Sequence, residues 1–168
     1  HSLIPESTDA VKCESEGTIM NEIRVYVGTY TYGRSEGIYV YRMDLSSGSL
    51  EYVGKTAAEN PAFLAINARG HHLYAVNSLP EYAGKPTGSV SAFSIGPEGG
   101  ELTFLNKQPS GGADPCYVDV HKTGRYVLVA NYAGGSVAVL PVLDDGRLGE
   151  PTDIVQHRGG SVNPVSYT

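Results

Sequence analysis

His157 and Arg158 stand side by side in a chain with five histidines and twelve lysines and arginines. Histidine titrates closest to neutral pH, so His157 can take up and return a proton during a reaction. A guanidinium holds an anionic group through paired hydrogen bonds, which suits Arg158 to a charged substrate. Asn77, Asn131 and Tyr132 carry donors for hydroxyl or carbonyl oxygens. No cofactor and no metal enter this reading. Cys13 and Cys116 lack metal spacing, and the adjacent His71 and His72 point to opposite faces if they lie on a strand. The glycine-containing turns lead into strands, so no nucleotide-phosphate loop is supported.

These residues also have plainer roles open to them. Asn60, Asp114 and Asn163 each precede a proline and suit turn capping. Asn77 and Asn131 share a slot with Thr29 and can make turns. His157 can bind a loop backbone, and Arg158 can be a solvated charge. His121 is expected to be structural, and Cys116 to be a small packed residue.

A repeat of about fifty residues positions all of them. Three strand-like runs share a pattern at 25–30 (VYVGTY), 73–78 (LYAVNS) and 127–132 (VLVANY). Each leads into a second run, at 37–43, 88–95 and 135–142, and then a Gly-x-Leu turn at 48–50, 100–102 and 146–148. A polar residue before proline follows, at 60–61, 114–115 and 163–164. Alternation of Tyr117, Asp119 and His121 with Val118 and Val120 has period two, as a strand with two different faces requires. No stretch carries helical apolar spacing. Four short antiparallel strands per repeat is the plan of a β-propeller blade, and the fold class is all-β, a partial propeller.

Written from inner to outer strand, blade two reads 63–67, 72–78, 89–95 and 102–108, and blade three 116–121, 126–132, 136–143 and 151–156. Blade one is entered at Ile23, in its second strand. Blade four has only the start of an inner strand, at 165–168. The expectation is an N-terminal piece of a longer propeller, with the strand that completes blade one lying beyond residue 168. Residues 1–19 are polar and outside the repeat, and are expected to be a disordered or non-native extension; residues 20–168 form the propeller portion.

Composition narrows the function classes. Net charge is −6 and no basic cluster is present, which argues against nucleic acid and anionic membranes as partners. No apolar run approaches a membrane span. Twelve tyrosines without tryptophan argue against a Trp-Asp type of propeller. Two cysteines without a framework fit a reduced, cytoplasmic protein.

Propellers bind small molecules at one mouth of the central channel. Loops between blades and loops between second and third strands build that mouth. The first class supplies Glu59, Asn60, Asp114, His157, Arg158 and Asn163; the second supplies Thr29, Asn77, Glu81, Tyr82, Asn131 and Tyr132. The opposite mouth receives Arg69, His71, Lys122 and Arg125.

Several of these segments resemble the seven-bladed lactonase family, known best from bacterial 6-phosphogluconolactonases. The segments are VGTYT at 27–31, GIYVY at 37–41, NPAFL at 60–64, NYAGGSVAV at 131–139, DGRL at 145–148 and HRGG at 157–160. The resemblance implies about three of seven four-stranded blades, and hydrolysis of a sugar lactone in the pentose phosphate pathway. The family continues past its asparagine-proline pair into an arginine-glutamine pair and a proline-histidine-x-histidine motif. This chain instead reads Val165-Ser166-Tyr167-Thr168, so those catalytic groups have no counterpart here and the fragment alone is expected to be inactive. A lactonising enzyme of carboxy-muconates and a non-enzymatic binding platform are the alternatives. The expected partner is a small sugar lactone. Blade faces left exposed at the two ends favour self-association or a complementary fragment.

Overall fold

The computed structural model describes residues 21–159. The N-terminal extension, Asn163 and the expected start of a fourth blade lie outside the described residues. Eleven antiparallel strands form three sheets, and no helix occurs among the described residues. The first sheet holds β1 (Glu22–Val27), β2 (Gly37–Asp44) and β3 (Leu50–Ala57). The second holds β4 (Pro61–Ile66), β5 (His72–Asn77), β6 (Ser89–Ile95) and β7 (Leu102–Pro109). The third holds β8 (Pro115–Val120), β9 (Tyr126–Asn131), β10 (Ser136–Pro141) and β11 (Asp153–Gln156).

The repeat's phase holds. Both four-stranded sheets run in simple sequence order, and the three-stranded one has no innermost strand among the described residues. Among the described strands β1 pairs only with β2, so its other edge is open. The ends of some strands differ from expectation for local reasons. β10 stops at Pro141 because Val142 leaves the ladder to bridge Leu148. β11 starts at Asp153, past Pro151, which has no amide hydrogen to donate.

Period-two alternation builds the core. Along β5, Leu73 and Ala75 pack toward the first sheet with Ile38, Phe93 and Leu102. Tyr74 and Val76 pack toward the third with Val90, Ala92, Val118, Val127, Val129, Ala138 and Leu140. The middle sheet is therefore apolar on both faces, as stacking between neighbours demands.

A repeated tyrosine bond fastens each sheet to the next. Tyr26 Oη donates to the Gly100 carbonyl at 2.7 Å, and Tyr74 Oη donates to the Gly146 carbonyl at 3.1 Å. Both acceptors lie in Gly-x-Leu turns whose glycines have left-handed φ, 71° and 84°. At Gly146 the His72 ring also lies where a side chain would go, so glycine is required twice over. The third sheet has Leu128 at this repeat position and no hydroxyl to offer.

Burial pushes the Tyr74 phenol up to about 12, with a smaller push from the Asp145 carboxylate. The folded state thus keeps this proton after the unfolded chain has lost it. Its contribution is intact below about pH 10, where free tyrosine titrates, and is lost as pH rises toward about 12. Tyr74→Phe is expected to flatten the alkaline fall in stability, read from urea melts across that window. At neutral pH it should cost about 1 kcal/mol for the lost hydrogen bond.

Candidate active site

Two ends of the sheets carry loops, and the described residues tie one of these ends into a continuous rim. Thr31 N donates to Asn60 Oδ1 at 2.8 Å, and Ser78 N donates to the Asn60 carbonyl at 3.0 Å. One blade further on, Asp114 N donates to the Leu79 carbonyl at 3.0 Å, and Tyr132 N donates to the Asp114 carbonyl at 2.9 Å. Gly134 N reaches the Ala113 carbonyl at 3.0 Å, and His157 N reaches the Gly135 carbonyl at 2.9 Å. The chain of bonds runs from the first blade to His157. Asn60 and Asp114 adopt left-handed φ of 41° and 48°, which asparagine and aspartate tolerate better than most residues. Asn60, through side chain and backbone, and Asp114, through backbone, are thus stitches between consecutive blades.

His157 and Arg158 are exposed on this rim, immediately after β11. Gln156 Nε2 donates to the carbonyls of Gly134 and Gly135, both at 2.9 Å, and fixes the approach to His157. Tyr132 is half exposed on the loop that receives His157. The structure therefore brings His157, Arg158 and Tyr132 to one hydrogen-bonded end of the third sheet.

The two asparagines sit below the rim. Asn77 is wholly buried, and its amide nitrogen and oxygen are both hydrogen-bonded. Nδ2 donates to the Glu59 carbonyl at 2.6 Å, while Oδ1 accepts from Ser91 Oγ at 2.7 Å. It offers no surface to a ligand in this structure and holds the loop that carries Asn60. Asn131 repeats the arrangement: Nδ2 donates to the Ser110 carbonyl at 2.9 Å and to Ser136 Oγ at 3.1 Å. Its Oδ1 is buried without a partner among the described residues. The reason is one residue: Ser91 lies opposite Ala75, but the matching position opposite Val129 is Ala138, which has no hydroxyl. The sequence carried a signal for this burial. Asn77 shares parity with Leu73 and Ala75, and Asn131 with Val127 and Val129, so each belongs to a core-facing set.

Asn77→Ala is expected to cost roughly 3 kcal/mol, because the Glu59 carbonyl and the Ser91 hydroxyl lose their partner under cover. A denaturant melt of the variant reads this directly. An unchanged midpoint would show that the amide does not hold the loop.

Two further expectations need correction or completion. Cys116 is exposed and not packed, because it sits where β8, an edge strand, slips register between Pro115 and Tyr117. His121 is a turn residue, with Nδ1 2.9 Å from Thr123 Oγ1. A groove of about 890 Å³ lies at the opposite end from His157, beside the open edge of β1, lined by Arg24, Tyr26, Ile66, His71, Ile95 and Glu98 among others. No group of three potential metal ligands occurs among the described residues.

The exposed rim supplies a proton-transfer group, a cation and a phenol. Attack of water on an ester carbonyl needs a group to take the water's proton and donors for the oxyanion that develops. His157 suits the first need, Tyr132 the second, and Arg158 can hold an anionic substituent of the substrate.

Residues 24–167 match the family described as Lactonase, 7-bladed beta-propeller. The 6-phosphogluconolactonase of Bacillus subtilis is 41% identical over 136 residues, covering 80% of this chain and 37% of that protein. A crystal structure from Bacteroides fragilis superposes with a TM-score of 0.80 at 35% identity, over 88% of this chain and 40% of that one. The periplasmic gluconolactonase of Pseudomonas aeruginosa superposes with a TM-score of 0.78 at 34% identity, over 86% of this chain and 41% of that one. The chain spans less than half the length of each of these relatives.

Proposed function

The chain belongs to the seven-bladed lactonase family, and from that membership we propose that it is part of a hydrolase that opens a sugar lactone, 6-phosphogluconolactone by preference. The observation that carries the reading is the stitched rim, where the backbone of His157 is bonded to the loop that carries Tyr132 and His157, Arg158 and Tyr132 are all exposed. In the proposed reaction water attacks the lactone carbonyl as His157 accepts its proton. The ring oxygen leaves and takes a proton back, giving the open hydroxy acid. Arg158 binds the phosphate. This chemistry places the protein in the pentose phosphate pathway. Its cysteine usage supports the cytoplasm as its compartment, which fractionation of the native host tests.

Arg158 provides the test of substrate class. In the full-length gene product, Arg158→Gln is expected to lower kcat/KM for the phosphorylated lactone by roughly tenfold or more, the scale of one charge-assisted hydrogen bond. The unphosphorylated lactone should be affected little. Equal losses on both substrates would remove Arg158 from phosphate binding. A preference for closing carboxy-muconates would replace hydrolysis by the lactonising reaction.

A further inference from the structure

Two aromatic rings, Phe63 and Tyr117, meet near the rim. Phe63 is the third residue of β4, and Tyr117 the third of β8. Each follows its rim residue, Asn60 or Asp114, by three positions, so each ring lies within about 10 Å of the rim along the strand. The ring centroids are 4.8 Å apart and the planes are inclined at 47°. β4 and β8 are the inner edge strands of neighbouring sheets.

The exposure of Phe63 does not come from a missing neighbour. Phe63 lies opposite Val76, on the face that packs against the third sheet. That interface is closed: Val76, Val90, Val118 and Val129 are all essentially buried. Yet 40% of Phe63 stays exposed, while Phe93, the same residue type inside the sheet stack, is 1% exposed. The open side of Phe63 therefore faces the inside of the arc. Tyr117 is 49% exposed; it lies opposite Ala130, on the side of β8 away from the buried Val118, and its ring meets that of Phe63 around the strand edge.

We propose that Phe63 and Tyr117 form an aromatic wall of the ligand cavity, on which the C–H face of a sugar-derived lactone ring packs. The hydrogens on a sugar ring carry partial positive charge, and an aromatic face is negative. Flat packing on the wall leaves the ring's hydroxyl and carbonyl edges to the polar rim above. Small-molecule cavities commonly pair an aromatic lining with a few placed polar groups in this way. The inference rests on the lactonase reading for the identity of its occupant.

The test uses the full-length gene product with Phe63→Leu and Tyr117→Leu, and with Phe63→Tyr and Tyr117→Phe as variants that keep a ring. Two readouts are taken: the kinetics of 6-phosphogluconolactone hydrolysis, and saturation-transfer NMR of a non-hydrolysable sugar lactam. The leucine variants should raise KM by about five- to tenfold with kcat little changed, and lose transfer to the lactam's ring hydrogens. The ring-keeping variants should stay near wild type in both. Folded leucine variants with unchanged KM and unchanged lactam contact overturn the wall and leave the lactonase reading standing. If the wild type hydrolyses no lactone, that reading fails and the lactam alone decides. Lactam binding lost in the leucine variants then supports the wall, and no lactam binding by the wild type overturns it.

Discussion

Purified on its own, the 168-residue chain is expected to sediment as associated species and not as a folded monomer. Its middle sheet is covered on both faces, but the outer sheets each have one apolar face without a described partner. On the first sheet that face holds Ile23, Val27, Leu50 and Tyr52, each at least 40% exposed, with the Tyr52 ring edge-on to Tyr41 at 5.8 Å. On the third sheet it holds Tyr126, Leu128 and Val155. Register assigns these sides: Leu128 pairs with Val139 and Val137 with Val155, opposite in parity to the buried Val127, Val129 and Ala138. Leaving ~400 Å² of such a face in water forfeits on the order of 10 kcal/mol at ~25 cal/mol per Å². That is comparable with the whole stability of a typical domain, about 5–15 kcal/mol. The open edge of β1 adds unpaired backbone groups to the same liability. Sedimentation velocity over a concentration series reads the result. A monomer that unfolds cooperatively at all concentrations would mean that these faces are not sticky.

His157→Gln in the full-length gene product is expected to lower kcat by about 10²–10⁴-fold, the range seen when a positioned proton-transfer group is lost. KM should move little, because the group acts in the transition state and not in binding. The fold should be untouched. His157 reaches its neighbours through backbone atoms, its N–H bonding Gly135 and its carbonyl accepting from Gln156 Nε2. Melting temperature and rim structure therefore serve as internal controls. Turnover within about twofold of wild type would reduce His157 to a solvated loop residue and favour a binding platform over an enzyme.

The strands were legible in the sequence because the fold repeats. Three copies of one pattern supplied strand order, sheet number and the incomplete first blade, and period two supplied the faces. The site was less legible because a rim residue and a residue one position deeper share the same polar types. Asn131 and Tyr132 are neighbours in sequence, yet one is buried under the loop and the other is half exposed on it. Asn60 looked like a local turn cap, and its side chain instead bonds across blades to Thr31; Asp114 joins blades through its backbone. Such long-range bonds leave no spacing signal. The tyrosine fasteners did leave one, since Tyr26 and Tyr74 recur at one phase and Gly100 and Gly146 at another. Pairing the two sets required knowing that each strand's next-blade face meets the following Gly-x-Leu turn.

The most direct measurement is acid release at constant pH when the full-length gene product meets 6-phosphogluconolactone, corrected for spontaneous hydrolysis. The account predicts saturable release well above the uncatalysed rate, collapsing in His157→Gln and weakened in affinity by Phe63→Leu. Release no faster than background, with wild-type protein shown to be folded, would contradict it.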